Sequence, residues 1–225
     1  MRDIEWTNLF DPELAVEAFP YILQGMGLTL LISLISMAFG LLLGLLIALA
    51  RSSNRAVLRW PARLYISFMR GVPILVILFI LYFGFPVIGI QFTAILAAII
   101  GFSINSAAYI AEINRSAISS IDKGQWEGAH ALNFTYWQTL RRVILPQATR
   151  VAIPPLFNVL LDLTKASSLA AMITVPELLH KARVFGAKEF DFMTALIVVA
   201  IIYWVVCSAM AFFQDGLEKR FSRYL

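Results

Sequence analysis

From Leu28 to Leu49 the chain carries no charged side chain, and two more uncharged runs, 72–90 and 92–111, follow. Each is close to the roughly 20 residues that take a helix across a ~30 Å hydrocarbon layer. No water in that layer can satisfy backbone groups, so such a segment must close its own hydrogen bonds, as a helix does. A fourth apolar stretch, about 151–170, is interrupted by Pro154-Pro155 and turns polar at Asp162 and Lys165. A fifth covers about 192–213. The expected class is an all-α polytopic membrane protein with five transmembrane helices. Composition agrees: 60% of residues are hydrophobic and 14% charged, against about 25% charged in a soluble domain.

Charge sets the expected orientation. Arg51, Arg55, Arg59 and Arg63 gather after the first span without an acidic neighbour. Arg115, Lys123, Arg141, Arg142 and Arg150 lie in the polar segment of about 114–150, and Lys219, Arg220 and Arg223 near the end of the chain. Basic loops stay in the cytoplasm, so these three regions share the inner side. The uncharged turn around Phe85-Pro86 and Gly89, and the mixed-charge segment 176–191, are then external loops. The N-terminus lies outside and the C-terminus inside. The leader (Arg2, Asp3, Glu5, Asp11, Glu13, Glu17) is acidic where a signal peptide starts basic, so the first run is read as a retained helix. The net charge of +4 then belongs to the inner face and not to a nucleic-acid site. Residues 1–225 are expected to form one transmembrane domain. Gly40 and Gly44 make a Gly-x-x-x-Gly that lets a second helix approach closely. Cys207, the single cysteine, sits in an apolar run as a packing residue.

The polar segment holds two helix starts. Asp122 followed by Gln125 fits a capping box, and the helix should run through Trp126, Ala129 and Leu132. Asn133 falls where a left-handed residue closes a helix. Thr135 and Gln138 repeat the capping pattern, and Pro146 is expected to stop or turn the second helix. Trp126, Leu132, Phe134, Tyr136 and Trp137 are too few for an independent core and suit packing on a partner. From these residues alone, a solvated connecting loop and a docking element both remain open. A DNA-binding role is disfavoured by the tether to membrane spans on both sides.

This stretch resembles the cytoplasmic "EAA" loop in the membrane subunits of binding-protein-dependent ABC importers. That pattern reads Glu-Ala-Ala, three residues, Gly, nine residues, Ile-x-Leu-Pro. Here Glu127-Gly128-Ala129 is followed at the same spacing by Asn133 and by Val143-Ile144-Leu145-Pro146. Gly128 departs from alanine and Asn133 from glycine. Arg70-Gly71-Val72-Pro73, Asn105 to Glu112, Ser120 to Glu127 and Lys165 to Leu169 look like the polar amino-acid permease branch, cystine permeases above all. The resemblance covers roughly residues 20–220 and implies a type I ABC importer permease fold. It makes Glu127, Gly128, Ala129, His130, Ala131, Leu132 and Asn133 the coupling helix that docks on an ATP-binding subunit. It also implies a homodimer or paralogous heterodimer of permeases, two ATP-binding cassette subunits inside and an extracytoplasmic substrate-binding protein. The setting is the lipid of a prokaryotic cytoplasmic membrane. ATP and Mg belong to the partner subunit, since the chain has no Gly-x-x-x-x-Gly-Lys-Ser/Thr loop.

Inside the spans, Asn158, Asp162 and Lys165 fall on one helix face at i, i+4 and i+7. A charge near mid-membrane costs about 2.5–3.5 kcal/mol and should face a bundle interior or water. Asn105, Asn158, Asp162, Lys165 and Ser167 are the candidate substrate path; alternatively, Asp162 and Lys165 simply neutralise each other. Related permeases for basic amino acids often carry Glu where Val159 stands, which favours a zwitterionic cargo such as cystine over a cationic one. Glutamine, histidine or arginine are the alternatives. Arg70 is read as an interfacial anchor and Glu112–Arg115 as a pair near the membrane surface. No catalytic set is found, and His130 and His180 fall on opposite sides, so no metal site is expected. A secondary carrier is disfavoured by the lack of an internal repeat. An intramembrane enzyme or scaffold lacks a reactive constellation or a second partner surface.

Overall fold

The computed structural model describes residues 9–222, leaving Arg2, Asp3, Glu5 and Arg223 outside it, together with the side chain of Arg220. The described residues are helical, without strands: α1 Pro12–Leu23, α2 Met26–Ser52, α3 Ala56–Gly71, α4 Ile74–Phe79, α5 Ala94–Ser119, α6 Lys123–Ala131, α7 Tyr136–Thr139, α8 Leu145–Ala166, α9 Leu178–Glu189 and α10 Phe192–Ser222. Four stretches are long and apolar enough to cross a membrane, or five if α3 and the helical turns of Ile74–Ile88 are counted together as one bent span. The chain divides into two compact units, one of Met1–Ser36, Leu75–Gly101 and Leu161–Ala211, the other of Met37–Ile74, Phe102–Leu160 and Phe212–Leu225.

In the first unit, α1 starts where Asp11 accepts hydrogen bonds from the amides of Glu13 and Leu14, with Pro12 in the first turn. Its Ala18 and Ile22 pack with Leu178, Ala182 and Phe185 of α9 and Ala195, Val198, Val199 and Ile202 of α10. Gly25, just before α2, touches the chain at 177–178: an added Cβ would lie 2.5 Å from the carbonyl carbon of Glu177. The mixed-charge segment, expected as a loop, is helical. Leu178, Ala182 and Phe185 recur at helical spacing and bury one face, while Arg183, Val184 and Ala187 are exposed on the other. Charged composition had masked that period.

In the second unit, Gly40 and Gly44 bring α2 against α5. A Cβ on Gly44 would stand 2.7 Å from Ile110 Cγ2 and 3.0 Å from the Ala107 carbonyl oxygen. The arginine-rich loop expected after the first span is largely helix α3, which buries Ala62 and Ile66, the latter against Ala48, Ala108 and Ala111. The helix stops because Val72, the residue before Pro73, is extended (φ −100°, ψ 132°). Pro73 has no N–H for the carbonyl of Met69, four residues back. The side-chain amide of Asn105 supplies that donor at 2.9 Å.

Two boundaries differ from the sequence reading. The third span, expected to end near 111, continues as α5 to Ser119, because Glu112 accepts from Arg115 within the helix (3.2 Å) and pairs with Arg51. Pro146 does not stop the second helix of the polar segment. A π-helical turn, Leu140–Ile144, precedes it, with the Leu145 amide reaching the Leu140 carbonyl. The wider turn accommodates the proline ring and its missing donor, and helix resumes as α8.

Candidate functional site

The segment from Asp122 to Thr139 is shaped by local bonds. Asp122 accepts from the Gly124 amide at 2.6 Å and starts α6. Gln125 does not complete a capping box: its side-chain oxygen instead accepts from Gln147 of α8 at 3.2 Å, tying the first helix to the second. At the other end, Asn133 is left-handed (φ 58°). Its amide donates to His130 and the Phe134 amide to Ala129, the paired 5→2 and 6→1 bonds of a Schellman close. Thr135 and Gln138 do form the expected reciprocal box.

This construction presents apolar surface outward. Ala129 is buried, while Leu132 is 72% and Trp137 70% exposed. Trp126 stacks on Tyr136 with ring centroids 5.8 Å apart, and Tyr136 meets Trp137 edge-on. Glu127, Gly128, His130, Ala131 and Asn133 are exposed. No atom lies within 4 Å of a Cβ added to Gly128, so its missing methyl costs helix propensity and not packing.

The candidate path residues are placed separately. Asp162 and Lys165 form an ion pair at 2.9 Å, yet their side chains remain 74% and 59% exposed. Asn158, one turn earlier on α8, is exposed and accepts from Gln214 at 3.0 Å. Asn105 is committed to the α3 break, and Ser167 is fully buried, donating to the Thr164 carbonyl at 2.7 Å.

A family model described as "binding-protein-dependent transport system inner membrane component" matches residues 40–223. The chain belongs to this family. The permease is 64% identical over its whole length to the probable amino-acid ABC transporter permease protein YckA of Bacillus subtilis, also covered completely. It is 42% identical to the L-cystine transport system permease protein TcyB of the same organism, over 92% of this chain and 89% of that one. Among solved structures, the crystal structure of an amino acid ABC transporter with histidines superposes with a TM-score of 0.90 at 31% identity, covering 93% of this chain and 98% of that one. The permease thus has the type I ABC importer fold and is a multi-pass inner-membrane component.

One polar cluster in the permease escaped sequence reading. Glu177 is 0% exposed, caps α9 by accepting from the His180 amide (2.8 Å), and accepts from the Tyr203 hydroxyl (2.6 Å). Burial pushes its carboxyl above the ordinary carboxylate range, against the pull of Tyr203 and the amides of Leu179 and His180. Pro176-Glu177 before an apolar pair was the available signal: a helix start with an acid at its N-cap.

Proposed function

We propose that this chain is the membrane half of an ATP-driven importer for a polar amino acid, with cystine as the cargo. Its place is the cytoplasmic membrane of a prokaryote, with the basic regions inside, the N-terminus outside and all 225 residues working as one permease domain. ATP hydrolysis lies in separate subunits, two of them per permease dimer, homodimeric or paralogous; an extracytoplasmic binding protein delivers the amino acid.

The observation that carries this reading is the exposed apolar surface on the Asp122–Thr139 helix–turn–helix. Leu132 and Trp137 have no reason to face water unless another protein covers them. Residues 127–133 are the coupling helix in this reading, and the closed turn at Asn133 lets them move as a rigid piece. Asn158, Asp162 and Lys165 form the exposed part of the path in this reading, and Asn105 and Ser167 belong to it as well. A neutral Asp162–Lys165 pair offers one partner to an ammonium and one to a carboxylate, which suits a zwitterion. The TcyB similarity and the uncharged Val159 support cystine.

Glu127→Arg tests the assignment in proteoliposomes containing the whole transporter. Insertion and assembly stay normal, while substrate transport falls at least tenfold and the ATPase loses its stimulation by the loaded binding protein. Normal transport by this variant would sink the coupling role. Calorimetry of the partner binding protein against cystine, glutamine, histidine and arginine decides the cargo.

A further inference from the structure

The first polar stretch after α2 lies outside the 122–139 segment. Helix α3 has 16 residues, about 24 Å at 1.5 Å per residue, short of a ~30 Å hydrocarbon layer. One face, with Ala62 and Ile66, is buried. Val57, Trp60, Leu64 and Phe68 recur at spacings of three and four and are exposed as a ridge. Arg55, Arg59 and Arg63, four residues apart, lie on the side of the helix that carries Ala62 and Ile66, away from the ridge.

The arginines of this region divide sharply. Arg51 pairs with Glu112, and Arg70 lies over the Tyr109 ring at 5.6 Å. Arg55, Arg59 and Arg63 have no carboxylate within ion-pair distance among the described residues. The Arg59 Nε is shielded from solvent and has no hydrogen-bond partner. Arg63 stands 5.7 Å from the Trp60 ring centroid, which joins the cationic stripe to the apolar ridge. No acidic residue lies between 51 and 71.

We propose that α3 is an interfacial helix that binds anionic phospholipid. Its ridge enters the acyl boundary, and Arg55, Arg59 and Arg63 hold the phosphates of phosphatidylglycerol-type headgroups. An apolar ridge on one side of a helix and basic residues on the other is the pattern of a helix lying in the membrane interface. Arginine's planar fork matches phosphate oxygens, and the phosphate brings the acceptors that Arg59 lacks. A second copy of this chain is a poorer occupant: a two-fold contact brings two unneutralised arginine stripes together, whereas an anionic leaflet neutralises them.

The purified transporter in detergent micelles, titrated with brominated phosphatidylglycerol or brominated phosphatidylcholine, tests this. The readout is the Trp60-dependent part of tryptophan quenching, wild type minus Trp60→Phe. Phosphatidylglycerol should quench at a several-fold lower mole fraction than phosphatidylcholine. Neutralising Arg55, Arg59 and Arg63 to Gln should shift the phosphatidylglycerol midpoint by about fivefold per arginine, leaving phosphatidylcholine unmoved. The triple Lys variant keeps most of the preference, separating charge from a folding defect. Equal midpoints for the two lipids in the wild type overturn the proposal. So does efficient Trp60→Cys cross-linking between permease copies in a Cys207→Ser background, which would make the ridge a protein interface.

Discussion

Asn133 pays for its left-handed backbone with less strain than most residues, because its short polar side chain tolerates that region. Asn133→Gly should therefore fold as well as the wild type or slightly better. Asn133→Val forces a β-branched residue to φ 58° and should cost about 1–2 kcal/mol, read as a lower melting temperature in detergent; equal melting of the two variants would remove the turn as the reason for this residue. Glu177 is the second informative residue. Its folded carboxyl, raised by burial, holds a proton at pH values where the unfolded chain has released it. The native state binds more protons in that window, so stability declines as pH rises from the ordinary carboxyl range towards the elevated folded value. Glu177→Gln keeps the cap on His180, and its amide can donate to the Tyr203 oxygen. Melting curves from about pH 4 to 8 should show the wild type losing stability relative to this variant as pH rises. Parallel curves would contradict the buried acid.

Among the elements, α2 and α5 meet through glycine because nothing larger fits. Gly44→Ala drives a methyl into Ile110 and the Ala107 carbonyl. Overpacking of this kind costs about 1–3 kcal/mol, so the melting temperature should fall, and Ile110→Ala in the same chain should recover part of it. No recovery would place the strain elsewhere. The α3 break follows a similar logic with hydrogen bonds. Pro73 removes the donor that Met69 needs, and Asn105 restores it from another helix. The polar residue in the third apolar run, visible in the sequence as a path candidate, is thus engaged in holding a helix end.

For the whole molecule, the exposed Asp162–Lys165 pair is the constraint that matters. Presenting a charge to lipid costs about 2.5–3.5 kcal/mol, and on the proposed path the pair faces water instead. With Cys207 replaced by Ser, a cysteine at position 162 should react with a charged, water-soluble maleimide at least tenfold faster than one at Val205, an exposed apolar position on α10. Equal rates at the two positions would exclude a water-filled path along α8.

Sequence alone determined the helical class, the apolar spans, the two helix starts of the polar segment 122–139 and the left-handed turn at Asn133. Each of these rests on propensity, capping or hydrophobic period, which act within a few residues and leave their mark in order along the chain. Tertiary structure alone decided that Leu178–Glu189 is a helix capped by a buried acid, that Gln125 bonds Gln147, that Asn105 replaces the donor lost at Pro73, and that helix passes through Pro146. These depend on partners as far apart as Tyr203 from Glu177 or Met69 from Asn105, or on a π-turn whose register no local preference specifies. A buried polar group must find a partner wherever the packed helices bring one, and that location is a property of the packing, not of the neighbouring residues.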